Sequence, residues 1–173
     1  MSEIDNTDRA IVDLLMQDGR MSSAEVARAL GNVSERAVRY RIERLRSRGI
    51  VRIGAIPVPQ ALGYQVVADV FIQVDAGAIL DVAHRLTEYE CVSYVGCSMG
   101  ESDLSLQVVA RDNAEVYSFV TEVVAAIPAV RKTTTVIVPL ILKDVYQWRI
   151  PSGACADPGR SSEGEEDVAA RRA

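Results

Sequence analysis

SERAVRYRIERLRSRG, residues 34–49, gathers six arginines and two glutamates into one short segment of a chain whose formal net charge is −5. Within it Val38, Ile42 and Leu45 recur at i, i+4 and i+7, behind Ser34, a residue type that caps helix N-termini, and ahead of Gly49, a helix stop. The spacing predicts one amphipathic helix. At about 100° per residue, Arg36, Tyr40, Glu43, Arg44 and Ser47 lie away from the apolar stripe. Arg39 and Arg46 take one flank, and Arg41 and Arg48 the other. A merely solvated face would balance its charges, as Glu35 and Arg39 could at i, i+4, but six arginines against two glutamates leave most without an intrahelical partner. Such a face suits a polyanion.

Upstream, DNTDRAIVDLLMQDGR sets Ile11, Leu14 and Leu15 at helical spacing behind acidic residues, with Gly19 as a stop. SSAEVARALG places Ser22 three residues before Glu25, a capping-box pattern, with Val26, Ala29 and Leu30 on one side, and ends at Gly31. Two short helices and a tight turn into a basic third helix make a helix-turn-helix, whose second member fits the roughly 12 Å major groove. Charge along the chain agrees. Nine arginines face eight acidic residues in 1–49, seven basic face eleven acidic in 50–150, and three face five in 151–173. Only the N-terminal third is net basic, so the positive charge is local because phosphate is local.

Downstream, Pro57, Pro59 and Gly63 mark a connector, after which the periodicity changes. VVADVFIQV reads as a strand. AILDVAHRLTEY reads as a helix with Leu80, Ala83 and Leu86 on one face. CVSYVGCS and DLSLQVVA read as strands around the turn MGES, NAEVYSFVTEVVAAI as a helix, and KTTTVIVPLILKDV as a last strand. The order βαββαβ is the ferredoxin-like unit, two helices on one face of a four-stranded antiparallel sheet. Leu104, Leu106, Val108 and Ala110 would face the core. On the opposite side Phe71, Val95, Cys97, Val109, Ile137 and Ile141 would leave enough apolar surface to imply a self-pairing partner.

The predicted fold class is therefore α+β. It comprises a three-helix, winged-helix-like DNA-binding domain over 1–49, a connector over 50–64, a ferredoxin-like dimerisation domain over 65–148, and a disordered tail over 149–173. The tail is rich in Gly, Ser, Pro and charge, without periodicity. No apolar run has membrane-span length, and the opening residues do not read as a signal peptide, so a cytoplasmic protein is expected. Cys91, Cys97 and Cys155 form no CxxC pair and His84 is the one histidine, so no metal site, cofactor or catalytic group is expected.

DNTDRAIVDLLMQDGRMS, VARALG, SERAVRYRIERLRSRGIV, GY, MGESD, IPAVRKTTTVIV and LILKDV, in this order over residues 4–146, resemble the leucine-responsive/AsnC family of transcription regulators. The resemblance implies that 50–64 holds a linker strand and that 65–148 is an effector-binding as well as a dimerisation domain. It implies a homodimer, in some members an octamer, that binds double-stranded DNA and senses a small molecule, usually an amino acid, between subunits. It also implies that Ser34, Arg36, Arg39, Tyr40, Arg41 and Arg44 face DNA, with Arg46 adding charge where a glutamate is common. Ser98, Met99, Gly100, Glu101 and Asp103 would form the effector loop, and Val136, Ile137 and Val138 the last strand lining it. Asp103 and Glu101 would accept from a ligand amino group, and N–H groups around Gly100 would donate to its carboxylate. The turn at Asn32 and Val33 is one residue longer than usual in the family, and Leu104 replaces a common aromatic. Two other functions compete with the regulator. One is an enzyme similar to the sirohaem decarboxylases, which share this architecture and would need histidines near the porphyrin. The other is an amino-acid sensor that acts on a protein partner.

Overall fold

The computed structural model describes residues 4–155, which divide into two compact units, 4–55 together with 143–155, and 56–142. In the first unit, three capped helices follow one another: α1 (Asn6–Gln17), α2 (Ser23–Leu30) and α3 (Glu35–Ser47). Each start is fixed by a side chain. Asp5 accepts from the Asp8 N–H at 2.8 Å while Asp8 accepts from the Asp5 N–H at 3.1 Å. Ser22 and Glu25 make the same reciprocal pair, and Ser34 Oγ accepts from the Ala37 N–H at 3.2 Å. Ile11, Val26 and Val38, one from each helix, are fully buried together. Each such side chain stabilises the unit by about 1.5–3 kcal/mol.

A second cluster shows where the end of the described chain goes. Ile4, Val12 and Leu45 are buried against Ile50, Val51, Ile150 and Cys155, and Ile4 pairs with Cys155 as an isolated parallel bridge. Residues 149–155 thus differ from the expected disordered tail. Ile150 and Cys155 supply apolar surface that composition averaged over 149–173 hides, and Ser152–Ala154 form a 3₁₀ turn. The rest of that tail, 156–173, lies outside the described residues. The connector 50–64 carries no strand, only the 3₁₀ turn Pro59–Leu62.

The second unit is the βαββαβ sandwich: β1 (Val66–Val74), α4 (Ile79–Leu86), β2 (Val92–Cys97), β3 (Leu104–Ala110), α5 (Asn113–Ser118) running into a π turn (Phe119–Val124), and β4 (Val130–Ile137). The strands lie in the order β2-β3-β1-β4, all antiparallel. Val70, Ile72, Leu104, Leu106 and Val108 form the core with Val82, Ala83 and Leu86 of α4 and with Val116, Val120 and Val124. Leu80 and Ala29, expected inward, are exposed, and Val82 and Ala27 pack in their stead.

Strand phase also differs from expectation, for one reason on both edges. Between Val92 and Tyr94 the β2 register slips, so Tyr94 opposes Gln107 and Val95 opposes Leu106. A second slip, at Gln73/Val74, places Val136 opposite Asp69 and Ile137 opposite Ala68. Each extra residue inverts the alternation beyond it. Val95, Cys97 and Ile137 therefore lie on the helix-covered side, and Ile141 lies past the strand. The open face instead carries Val67, Phe71, Tyr94, Val109 and Val136 around Asp69, Ser105, Gln107 and Thr134.

Candidate nucleic-acid interface and ligand cleft

Helix α3 sorts its arginines by partner. Arg41 donates to Asp8 Oδ1 at 2.8 Å and to Asp5 Oδ2 at 2.7 Å, and Arg44 pairs with the other Asp8 oxygen. Asp8 is wholly buried, so the α1 capping box doubles as a carboxylate clamp that orients α3. Burial opposes ionisation of Asp5, yet the Asp8 N–H and the Arg41 guanidinium outweigh it and hold its carboxyl below the usual range. Asp8, then Asp5, raise the pKa of Arg41. Of the residues the sequence assigned to DNA, Arg41 and Arg44 thus face α1, with about a quarter of each side chain exposed.

The others are exposed. Arg36, Arg39, Tyr40 and Arg46 stand on the outer face, and Tyr40 is 69% exposed. Arg39 pairs with Glu35, and Arg46 meets Glu43 at 3.3 Å. Such exposed pairs are worth about 0–1 kcal/mol, so phosphate can displace them. Ser34 is exposed with its hydroxyl engaged as the cap. The remaining outer face offers guanidinium groups and a phenol, donors suited to phosphate oxygens and base edges.

In the second unit, the loop between β2 and β3 overhangs a shallow recess of about 410 Å³ lined by Phe71, Ser98, Met99, Glu101, Ser102, Ser105 and Thr134. The loop is self-braced. Ser98 N–H donates to the Asp103 carbonyl at 2.8 Å, Ser98 Oγ to the Ser102 carbonyl at 3.0 Å, and Gln73 Nε2 to the Glu101 carbonyl at 2.8 Å. Gly100, at φ +142°, takes a backbone conformation that side-chain-bearing residues rarely adopt. Asp103 Oδ2 accepts from the Val74 N–H at 2.7 Å and lies 3.7 Å from Arg131 Nη2. The carboxylate assigned to the ligand is therefore engaged in holding the loop to the end of β1.

Glu101 is exposed and lines the recess, as do Ser98 and the fully exposed Met99. From the last strand, Val136 reaches the open face, Ile137 points to the opposite side, and Val138 donates its N–H to the Val67 carbonyl at 2.8 Å. The sequence reading missed Phe71, Ser102, Ser105 and Thr134 as lining residues. Alternation through Phe71 and Ser105 places both on one face, while Thr134 depends on the bulge. His84 is exposed on α4 and is not among the lining residues.

Residues 4–46 match the AsnC-type helix-turn-helix domain and residues 67–147 the Lrp/AsnC ligand-binding domain. An uncharacterized HTH-type transcriptional regulator of Pyrococcus horikoshii is 35% identical over 147 residues, covering 84% of this chain and 90% of its own. Escherichia coli AsnC superposes with a TM-score of 0.75 at 26% identity, covering 83% of this chain and 98% of the other. A Neisseria meningitidis regulator solved as its L-Met complex superposes with a TM-score of 0.76, covering 82% of this chain and 93% of the other. At 22% identity that likeness is one of fold.

Proposed function

Because the chain belongs to the Lrp/AsnC family of transcription regulators, we propose that it binds two-fold symmetric DNA sites through the outer face of α3 and adjusts that binding to an amino acid held in the recess beside β3. The observation that carries this reading is the division among the arginines. Arg41 and Arg44 are occupied by the Asp5 and Asp8 carboxylates, while Arg36, Arg39, Tyr40 and Arg46 stand outward. Phosphate contacts supply affinity and a few side chains near the start of α3 read bases.

The recess has the chemistry of a zwitterion site. Glu101 offers an anion for an ammonium, the hydroxyls of Ser102, Ser105 and Thr134 offer donors for a carboxylate, and Phe71 and Met99 offer apolar contact. Two protomers would pair through the open sheet face, where Phe71, Tyr94 and Val136 are 38%, 52% and 48% exposed. Its place of action would be the cytoplasm, with the DNA.

The test is sequencing of genomic fragments retained by the protein, with and without a mixture of the twenty amino acids. Enrichment of a palindromic site that changes on adding the mixture is expected. Retention no better than bulk DNA would reject DNA recognition, and an unchanged profile would reject the effector.

A further inference from the structure

Beyond the end of α3 the chain doubles back. Gly49, in the left-handed region at φ +68°, lets the Ile50 and Val51 N–H groups both donate to the Leu45 carbonyl, at 2.9 and 3.3 Å. Residues 51–53 consequently run beside the last turns of the helix and close an open cleft of about 500 Å³ lined by Glu43, Arg46, Ser47, Val51, Arg52 and Ile53. Two guanidinium groups from different backbone segments thus line one groove. Arg52 is exposed and has no ion-pair partner among the described residues, and Arg46 has only the exposed Glu43. Ser47 Oγ is engaged by the Arg44 carbonyl at 3.1 Å.

We propose that Arg52, together with Arg46, forms a clamp for the DNA sugar-phosphate backbone on the far side of the groove entered by the start of α3. The inference rests on the DNA-binding reading above and adds a contact outside the helix. Geometry favours it. Arg36 and Arg46 are separated by about 15 Å along the axis at 1.5 Å per residue. That span is comparable to the roughly 12 Å width of the major groove. With Arg36 over the bases, the end of α3 and the segment folded back on it meet the opposite backbone. An oxyanion there neutralises two positive charges that face one carboxylate, and Arg52 presents the planar donor fork that suits phosphate.

Phosphate binding is indifferent to sequence, so the test uses the full-length protein and a duplex of random sequence about four helical turns long, titrated by fluorescence anisotropy across a salt series. The slope of log affinity against log salt falls by about 0.9 for each phosphate that the protein no longer neutralises. Arg52→Ala is expected to flatten the slope by that amount per protomer, and Arg52→Lys to restore it. Arg85→Ala, which removes the same charge from the exposed face of α4, is expected to leave the slope unchanged. Equal slopes for Arg52→Ala and Arg85→Ala would overturn the clamp. If Arg36→Ala still weakened binding in that case, the DNA-binding reading would stand without the clamp. No salt-dependent binding by the wild type would overturn both.

Discussion

Arg41 of α3 and Asp8 of α1 meet at 2.8 Å, and the carboxylate that holds the guanidinium has no solvent exposure. The first turn of one helix thereby orients the helix whose outer face is proposed to meet DNA. Removing Asp8 takes from Arg44 its carboxylate, leaves Arg41 with Asp5 alone, and deletes half of the α1 capping box.

Asp8→Ala is expected to destabilise the first unit by about 3 kcal/mol. That is the low end of the cost of breaking a buried pair, because both arginines can still reach water. Urea unfolding followed by circular dichroism measures it. A loss below about 1 kcal/mol would show that the clamp does not hold α3.

Acid should act at the same place. Asp5 has its carboxyl lowered in the fold, so its contribution is present above the unfolded value of about 4 and is lost as pH falls through the lower folded value. Glu25, held by the Ser22 N–H, and Glu115, held first by Arg111, are lowered too and act in the same direction. Thermal melts are expected to show little change between pH 7 and 5 from these groups and a fall below about pH 4. In Asp5→Asn the part of that fall due to Asp5 should vanish. An unchanged acid limb would contradict the assignment.

Ile150 and Cys155 pack on Ile4, Val12 and Leu45, so the described end of the chain is part of the first unit. Ile150→Ala is expected to lower its stability by about 1–2 kcal/mol, the cost of removing part of a half-buried apolar side chain. Hydrogen exchange should report the loss at the start of α1. Unaltered protection there would mean that the segment adds nothing.

Two carboxylates of the β2–β3 loop should separate by role. Glu101→Ala is expected to abolish calorimetric binding of the amino acid found in the mixture screen while leaving the melting temperature unchanged. Asp103→Ala, which frees the Val74 N–H, should lower the melting temperature as well. Full affinity in Glu101→Ala would remove it from the site.

Much of this was legible in the sequence, because its signals are local. Ser22 with Glu25 and Ser34 ahead of an apolar stripe mark helix starts within four residues. VVADVFIQV matches the observed first strand, Val66–Val74, to the residue. What escapes depends on partners far along the chain. Arg41 and Arg44 look solvent-bound on a helical wheel, and only the packing of α1 against α3 brings Asp8 to them, more than thirty residues away. Alternation alone puts Val95 and Ile137 on the wrong face because one-residue slips precede both, and a bulge carries no mark in the alternation it interrupts. Asp103 looks free for a ligand because its Val74 partner lies 29 positions upstream.

The division of the α3 arginines is tested most directly by measuring the affinity of Arg39→Ala and Arg41→Ala for the selected site and for a panel of its single-base variants. Arg39→Ala is expected to weaken binding by about 1–3 kcal/mol, unequally across the panel, because an exposed guanidinium on the outer face can read a base. Arg41→Ala is expected to lower folding stability and to shift affinity by the same factor on every sequence. A uniform loss for Arg39→Ala, or a base-dependent loss for Arg41→Ala, would contradict the assignment of these two arginines to opposite faces of the helix.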